Sequence, residues 1–495
     1  MASHLLSKTQ YLRSLQCHKS LWLLKNNPEL RKESDASQQA VFNEGREVEQ
    51  WAQKLFPGGV KVKYDGSDFK GKISQTQKLI ESGAKTIYEA TFQYDDVLVM
   101  VDVLHRTDNG WELYEIKSST EPKDIHREDI ALQYYVLRGQ EIALSSTSLI
   151  HINNQYVRNG NIDIDQLFTI TDLTDDVIQR QKLVKENLNS IKKTLSQKLP
   201  SIDIGHHCLK PYECDFKEHC WQNIPMPSVF NLSGLWASKK FDLYARGIVN
   251  YNELPGDVKL TPFQQAQVKS VLSDEDIIDK KALKEFLDKE ISYPLYFLDF
   301  ETIQPIIPVF DGLTPNSFIP FQYSLHWLER EGGPLEHSEF LAKGGEDPRE
   351  VFIKQLISDI PEDVCVLAYN QQFEKGRLKG LSKEFPVYSE RLMNIHDNIA
   401  DLMVPFQKAY IYKKLQQGSY SIKHVLPAFI SDDPELDYKE LKISNGMEAS
   451  NTYANLHLMG YDEKEIFAIR ANLLKYCWLD TYAMVRLLEK LKEIL

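Results

Sequence analysis

The sequence lacks any run of about 18 or more uncharged apolar residues, which excludes a helical membrane span. Its least charged stretch, Thr302–Trp327, carries one formal charge at Asp311, but Pro305, Pro308, Pro315 and Pro320 interrupt it, and it reads as a loop. The N-terminus, MASHLLSKTQYLRSLQCHKSLW, has no basic segment followed by an uninterrupted apolar core. No secretory signal is therefore expected, and the expected location is the cytoplasm. Positive charge is scarce: 58 Lys and Arg against 71 Asp and Glu leave a net charge of −13. That excludes a protein that coats nucleic acid non-specifically, because phosphate binding needs clustered cations. It leaves room for an enzyme with a local basic groove, and acidic side chains are what hard metal ions bind. Repeats, low-complexity tracts and helicase-type nucleotide motifs are missing. GSDFKGKI (Gly66–Ile73) nearly matches a phosphate loop, but Ile73 stands where a Mg²⁺-binding hydroxyl is needed, so a phosphate loop is rejected. Cysteine is sparse as well, with six in 495 residues. In a cytosolic chain, such thiols point to metal or cofactor ligation before disulfides.

What is present is a set of ordered motifs in a chain long enough for about two to four domains. Leu295–Thr302 reads LYFLDFET, a buried-strand pattern in which Asp299 and Glu301 share one face. Two adjacent carboxylates are costly to bury unless a cation or a hydrogen-bond network compensates them. Either this strand end is a metal site or the segment is not a strand. Downstream, LAYNQQFEKGRL supplies Asn370 and Glu374, and KYCWLDTY places Tyr476 and Asp480 on one helical face.

The first half alternates helical and strand patterns. Val97–Val103 (VLVMVDV) and Trp111–Lys117 (WELYEIK) read as paired strands joined through TDNG. Asp102 sits on the first, and Glu115 and Lys117 share a face of the second. Carboxylates so placed hold Mg²⁺ or Mn²⁺, the metal acidifies a bound water, and a lysine positions that water or offsets developing charge. Taken alone, the spacing also describes an exposed hairpin with ordinary surface charges. Asp129–Leu137 reads as a helix on which Gln133 and Tyr134 are placed to close the site. Thr171–Lys198 reads as a long polar helix, and Asn223–Ser228 (NIPMPS) as a linker followed by short helices to Ser292. HHCLKPYECDFKEHCW contains Cys208, Cys214 and Cys220 at equal spacing, with Cys17 alone near the N-terminus. These residues leave open free thiols, or Zn²⁺ held by four Cys or with His206, His207 or His219 joining. Cys365 and Cys477 lie in apolar stretches and read as core.

The first set resembles the RecB-like branch of the PD-(D/E)XK nuclease superfamily, which has an Asp on one strand, E-x-K on the next and a Gln-centred helix. Asp102, Glu115, Lys117 and Gln133 match those places. The branch usually has a Gly followed four residues later by a metal-binding His; here FNEGREVEQWA has Gly45 and then Glu49, so the implied ligand is a carboxylate. One Cys before this core and three after it resemble the iron–sulfur nucleases of the branch. That implies a [4Fe–4S] cluster on Cys17, Cys208, Cys214 and Cys220, with Zn²⁺ as the alternative; the cysteine spacing departs from the tighter spacing common there.

The second set resembles the DEDD exonucleases of the DnaQ-like, RNase H-fold superfamily, in the subgroup with Y-x3-D. Asp299 and Glu301 match the first motif, and Tyr476 and Asp480 the third. Glu374 stands where the second motif usually has Asp. The other subgroup has a His five residues before the last Asp, where this chain has Lys475. Asp401, in NIADLMVPF, and the segment GSYSIKHVLPAF fit the family's later strand and helix. The resemblance implies two Mg²⁺ or Mn²⁺ ions about 4 Å apart on Asp299, Glu301, Glu374 and Asp480, with Tyr476 orienting the attacking water. In the first set it implies one such ion on Glu49, Asp102 and Glu115.

The expected fold class is therefore α/β. It comprises a restriction-endonuclease-like domain over 1–222, a helical connector over 223–292 and an RNase H-like domain over 293–495. The expected function is metal-dependent hydrolysis at nucleic-acid ends, with DNA the first expected substrate and repair or defence the setting. The alternatives are a nucleic-acid-binding protein with one working site and an RNA-processing exonuclease.

Overall fold

Hydrophobic alternation, and where it is interrupted, explains most of the architecture. The computed structural model describes residues 5–33, 36–63, 68–431, 433–436, 438 and 441–495. It is mixed α/β, and the chain divides into two compact units: 1–223 with 305–317, and 224–304 with 318–495. Among the described residues, no helix is long and apolar enough to cross a membrane.

The first unit contains strands β1 (Leu6–Ser7), β2 (Val60–Lys61), β3 (Thr86–Tyr94), β4 (Val97–Thr107), β5 (Gly110–Lys117), β6 (Leu144–Ile152) and β7 (Phe168–Asp172). Their order is β2-β3-β4-β5-β6-β7, with β1 pairing on β4. The TDNG turn closes the β4–β5 hairpin, and Gly110 sits at φ +133, a backbone region that favours glycine. A Cβ there would lie 2.7 Å from the Ala143 carbonyl oxygen. β5 and β6 are parallel, so a crossover must join them. That crossover is the helix Asp124–Gly139, and it brings Gln133 over the E-x-K strand. Val177, Val184, Leu188 and Ile191 form the apolar stripe of the helix Thr174–Leu195 and join Val99, Val101, Ile130 and Val136 in one core. The opposite core contains Val48, Val103, Ile116 and Ile150, together with Ile306 and Ile307 of the 305–317 excursion.

The second unit contains β8 (Ile277–Ile278), β9 (Leu295–Ile303), β10 (Ile319–Leu328), β11 (Glu336–Leu341), β12 (Cys365–Ala368), β13 (Ile399–Asp401) and β14 (Ile411–Tyr412). Five of them form a sheet in the order β11-β10-β9-β12-β13. β9 runs antiparallel to β10 and parallel to β12, and β12 runs parallel to β13. Side chains alternate along β9. Tyr296, Leu298 and Phe300 enter one core with Phe352, Leu356 and Leu378. Leu295 and Phe297 enter the other, which is packed by Leu479, Ala483 and Leu487 of the helix Glu463–Ile494. Asp299 and Glu301 continue this second face.

Two expectations need correction. The 302–327 stretch is not all loop: Ile319–Leu328 is a strand paired on both edges. Its Pro320 is tolerated beside a register shift between Pro320 and Gln322, where a missing N–H matters least. The near phosphate loop, rejected on Ile73, begins at Gly66, which lies outside the described residues. Phe69–Glu81 is helical, and Asp68 caps it by accepting from Gly71 N at 2.9 Å. The segment expected to connect domains packs into the second unit: β8 pairs with β14, Phe263 meets Tyr412 edge-on at 5.4 Å, and Leu283 lies in the core.

Candidate functional site

In the second unit, the two cores end where β9 turns acidic. Among the described residues, Asp299, Glu301 and Asp480 form a group whose ligand oxygens all lie within 4.8 Å of one another. Burial is the main cause of their raised pKa values, and mutual repulsion adds to it. The Asp299 carboxyl is pushed well above its usual range by burial and by Asp480, Glu301 and Glu374. Burial and Asp480 push Glu301 up to about 8, with Lys423 opposing. Asp480 rises to about 6 by burial, held back by hydrogen bonds from Tyr438 and Tyr476 and by Lys423. Such a set is short of positive charge.

Glu374 stands in the first turn of the helix Gln372–Glu384, is 2% exposed, and has no hydrogen-bond partner for Oε2. Burial pushes it up to about 8, its own backbone N–H opposes that, and Asp401 adds to it. Glu374 is thus within electrostatic reach of Asp299 and Glu301 but outside the close group of three. Asp401 has a different task. At the end of β13 it accepts from Asn370 N at 2.9 Å, Gln371 N at 3.2 Å and Met403 N at 2.9 Å. These bonds hold Asn370 at φ +72 and so fix the turn that presents Glu374.

The helix Glu463–Ile494 places Tyr476, Cys477 and Asp480 on one side. Cys477, expected to be only a core thiol, lies 3.6 Å from Asp299 Oδ2. Tyr438 Oη donates to Asp480 Oδ1 at 2.5 Å, and its ring meets that of Tyr476 at 6.4 Å. Lys423 Nζ stands 5.4 Å from the Tyr438 ring and 5.6 Å from the Tyr476 ring. Next to Asp480, the buried Thr481 hydroxyl meets Ser324 Oγ at 2.7 Å and His326 Nδ1 at 2.8 Å, which fixes the helix rotation against β10.

In the first unit the β4–β5 ladder ends at Val103–Tyr114. One step beyond, the Asp102 carboxylate accepts from Ile116 N at 2.7 Å. Glu115 is 1% exposed and fully engaged. Lys8 Nζ reaches its two oxygens at 3.0 and 3.1 Å, Lys117 Nζ donates at 2.5 Å, and Gln133 Nε2 at 2.6 Å. Asp129, a residue with no place in the expected set, accepts from Lys117 at 3.0 Å and Gln133 at 3.1 Å. Burial pushes Glu115 up to about 7, with Asp102 and Asp129 adding and the two lysines opposing. Burial disfavours the Lys8 charge, but Asp129, Glu115 and Asp102 outweigh it and raise its pKa. Glu49 accepts from Gln53 at 2.6 Å and stands 3.6 Å from Lys61. Burial and then Glu89 raise its pKa. Glu89 adopts φ +58 and leaves a gap in the β3–β4 ladder opposite Asp102. The structure brings Asp102, Glu115, Lys117 and Gln133 together, with Glu49 within electrostatic reach of Asp102, and adds Lys8, Asp129 and Glu89. Tyr134 packs on the core of Val99 and Ile130 instead, and among the described residues no three of these carboxylates bring ligand oxygens within 4.8 Å of one another.

Cys17, Cys208, Cys214 and Cys220 line one cavity, with Lys19 and Phe216 among its walls. Burial raises the Cys17 and Cys220 thiols, and charge on the neighbouring thiols raises them further. No three of the four sulfurs are among the described ligand sets that close to within 4.8 Å. Zinc bonded to sulfur at about 2.3 Å needs them roughly 3.8 Å apart. Four thiols around one cavity are a donor set of the kind that a thiolate-bound cluster or Zn²⁺ takes. Protein contacts already join the two cysteine-bearing segments. Arg13 forks onto Asp215 at 2.5 and 2.8 Å, and Gln16 Nε2 donates to the His207 and Tyr212 carbonyls, each at 2.7 Å.

A family model described as a domain of unknown function (DUF2779) matches residues 296–421. That span includes Asp299, Glu301, Glu374 and Asp401 and stops short of Tyr476 and Asp480. The chain is 24% identical over 350 residues to uncharacterized protein UU173 of Ureaplasma parvum, covering 65% of this chain and 49% of that protein. It is 28% identical over 207 residues to the uncharacterized protein MG366 homolog of Mycoplasma pneumoniae, covering 38% and 31%. The chain spans about half, or less, of the length of these curated relatives.

Proposed function

We propose that this protein is a metal-dependent nuclease that hydrolyses phosphodiester bonds at nucleic-acid ends, with its working site on β9. The observation that carries this reading is the convergence of Asp299, Glu301 and Asp480 within 4.8 Å, with Glu374 buried alongside. A group of like charges that repel one another in a buried place is stabilised by divalent cations. Asp299, Glu301, Glu374 and Asp480 would hold Mg²⁺ or Mn²⁺, which activates water and neutralises the leaving oxygen. The residues of the chain do the rest. Tyr476 and Tyr438 orient Asp480, Asp401 fixes the Glu374 turn, and Lys423 tempers the negative field. The strand order β11-β10-β9-β12-β13, with β9 central, supports an RNase H-like arrangement for this unit.

The test is digestion of end-labelled single- and double-stranded DNA and RNA with Mg²⁺ or Mn²⁺. Asp299→Ala is expected to abolish the activity; unchanged digestion by that variant would refute the assignment.

For the first unit, one observation favours the second reading, a nucleic-acid clamp. Lys8 and Lys117 already neutralise Glu115, so a cation must displace an ammonium to bind there. Separate Glu115→Ala and Asp299→Ala variants assign the activity to one half or to both. For the cysteine cavity we propose a [4Fe–4S] cluster on Cys17, Cys208, Cys214 and Cys220, which would tie the C-terminal segment of this unit to its N-terminal helices.

A further inference from the structure

Arg377 follows Glu374 by three residues on the helix Gln372–Glu384, so the two lie on adjacent turns of one face. An acid and a base at that spacing ordinarily pair. Here Glu374 Oε2 and Arg377 Nη1 are both shielded from solvent, and neither has a hydrogen-bond partner among the described residues. Leaving such groups shielded and unsatisfied costs the full desolvation of each. A bound ligand that supplies both a cation and an anion removes that cost.

Aromatic rings hold the guanidinium in place. It lies 3.7 Å from the Phe318 ring centroid and 4.7 Å from that of Phe373. The two rings meet edge-on at 6.1 Å and 85°. Stacking of this kind fixes the plane of the fork while leaving its N–H edge for a ligand. Phe318 is 39% exposed, so the clamp is open to solvent. Burial lowers the arginine's pKa, with Glu374 opposing, which marks a cation whose own surroundings do not fully compensate it.

We infer that Arg377, clamped by Phe318 and Phe373, binds a phosphate of a single nucleic-acid strand at the Asp299–Glu301–Asp480 site. The inference rests on the nuclease reading of that site and names the contact that admits its substrate. A strand approaching four carboxylates is repelled until cations intervene. The carboxylates would hold metals that offset the charge of the scissile phosphate, and Arg377 would offer a phosphate oxygen the guanidinium N–H that has no protein partner among the described residues. Glu374 Oε2, which has no hydrogen-bond partner among the described residues, would serve as a metal ligand. One ligand, a metal-bound phosphate ester, thus satisfies both orphaned groups.

The experiment uses the full chain carrying Glu115→Ala, so that cleavage reports the second site. A 5′-labelled single-stranded oligothymidylate is the probe, with Mn²⁺ for turnover and Ca²⁺ for binding by fluorescence anisotropy. Arg377→Gln is expected to raise KM about tenfold with kcat nearly unchanged. It is expected to flatten the plot of log binding constant against log salt by about 0.7, the value of one phosphate contact on a single strand. Arg377→Lys, which keeps the charge and loses the fork, is expected to fall between, and Phe318→Ala to weaken binding while Phe318→Tyr retains it. A variant that binds and turns over like its parent overturns the inference. So does a loss of kcat with KM and salt slope unchanged, and so does a parent that binds no oligonucleotide. If the parent shows the Arg377-dependent salt slope but cleaves nothing, the inference stands and the nuclease reading falls.

Discussion

Tyr438 Oη donates to Asp480 Oδ1 at 2.5 Å, bringing a loop residue onto the last carboxylate of the acidic site. A hydrogen bond to a buried charged group contributes about 2 kcal/mol. Tyr438→Phe is expected to lower the unfolding free energy by about that amount in the absence of metal, and to slow hydrolysis by raising the Asp480 pKa further. Urea unfolding and turnover with Mn²⁺ check both. Wild-type values in both would remove Tyr438 from the site.

Lys8 is the counter-ion that the first unit supplies to itself. Replacing it with methionine leaves Glu115 with Lys117 and Gln133. The expected loss is about 2 kcal/mol, below the full cost of breaking a buried pair because Lys8 is partly solvated. The vacated place also favours a divalent cation, so Mn²⁺ should protect Lys8→Met against urea more than it protects wild type. Equal protection would argue against any cation role for this carboxylate cluster.

The cysteine cavity makes a spectroscopic prediction. Anaerobically purified protein is expected to be coloured, with broad visible absorbance and stoichiometric iron and sulfide. Cys214→Ser should lose the colour and Cys365→Ser should keep it. A colourless protein with one zinc per chain would sink the cluster assignment.

His326 sets a pH dependence of stability. Burial and then the neighbouring His337, at a ring separation of 4.4 Å, push its pKa down to about 3. Its other close neighbours are Thr481, Trp478 and Tyr482, none of them charged. The unfolded imidazole titrates near 6.5. Between those values the unfolded state binds the extra proton, so stability is full above about pH 6.5 and falls as pH drops toward 3. His326→Gln should flatten the fall in urea midpoint between neutral pH and pH 4.5, leaving the share contributed by His126, which is likewise held down to about 4. An unchanged slope would show that His326 is not kept neutral.

Elements whose chemistry is local were legible in the sequence. The β4–β5 hairpin announces itself by its alternation and its TDNG turn. The acidic end of β9 stands out because Asp299 and Glu301 interrupt an apolar run, and Tyr476 and Asp480 share a face by helical arithmetic. What escaped depends on distant pairing. Lys8 meets Glu115 across 107 positions, and an amphipathic N-terminal helix gives no sign that its lysine will turn onto a buried carboxylate. Glu89 matters because its backbone flips to positive φ, which nothing in TIYEATF foretells. Tyr438 lies in a segment with no periodic pattern. β10 is hidden in the sequence because Pro305, Pro308 and Pro315 before it and Pro320 near its start outweigh the apolar run that follows, although Pro320 stands at the margin of the pairing and costs the ladder little.

The alternation of side chains along β9 also restrains a failure peculiar to that strand. Sliding the strand by one residue would turn Asp299 and Glu301 toward Phe352 and Leu378, and send Leu298 and Phe300 to the acidic face. The site would be erased with its composition intact. Pairing on both edges, with β10 and β12, and an apolar core on each face oppose such a slip. The apolar alternation of β9 thus works as a ratchet pawl: it adds nothing to the chemistry, yet it decides which side of the strand the chemistry is on.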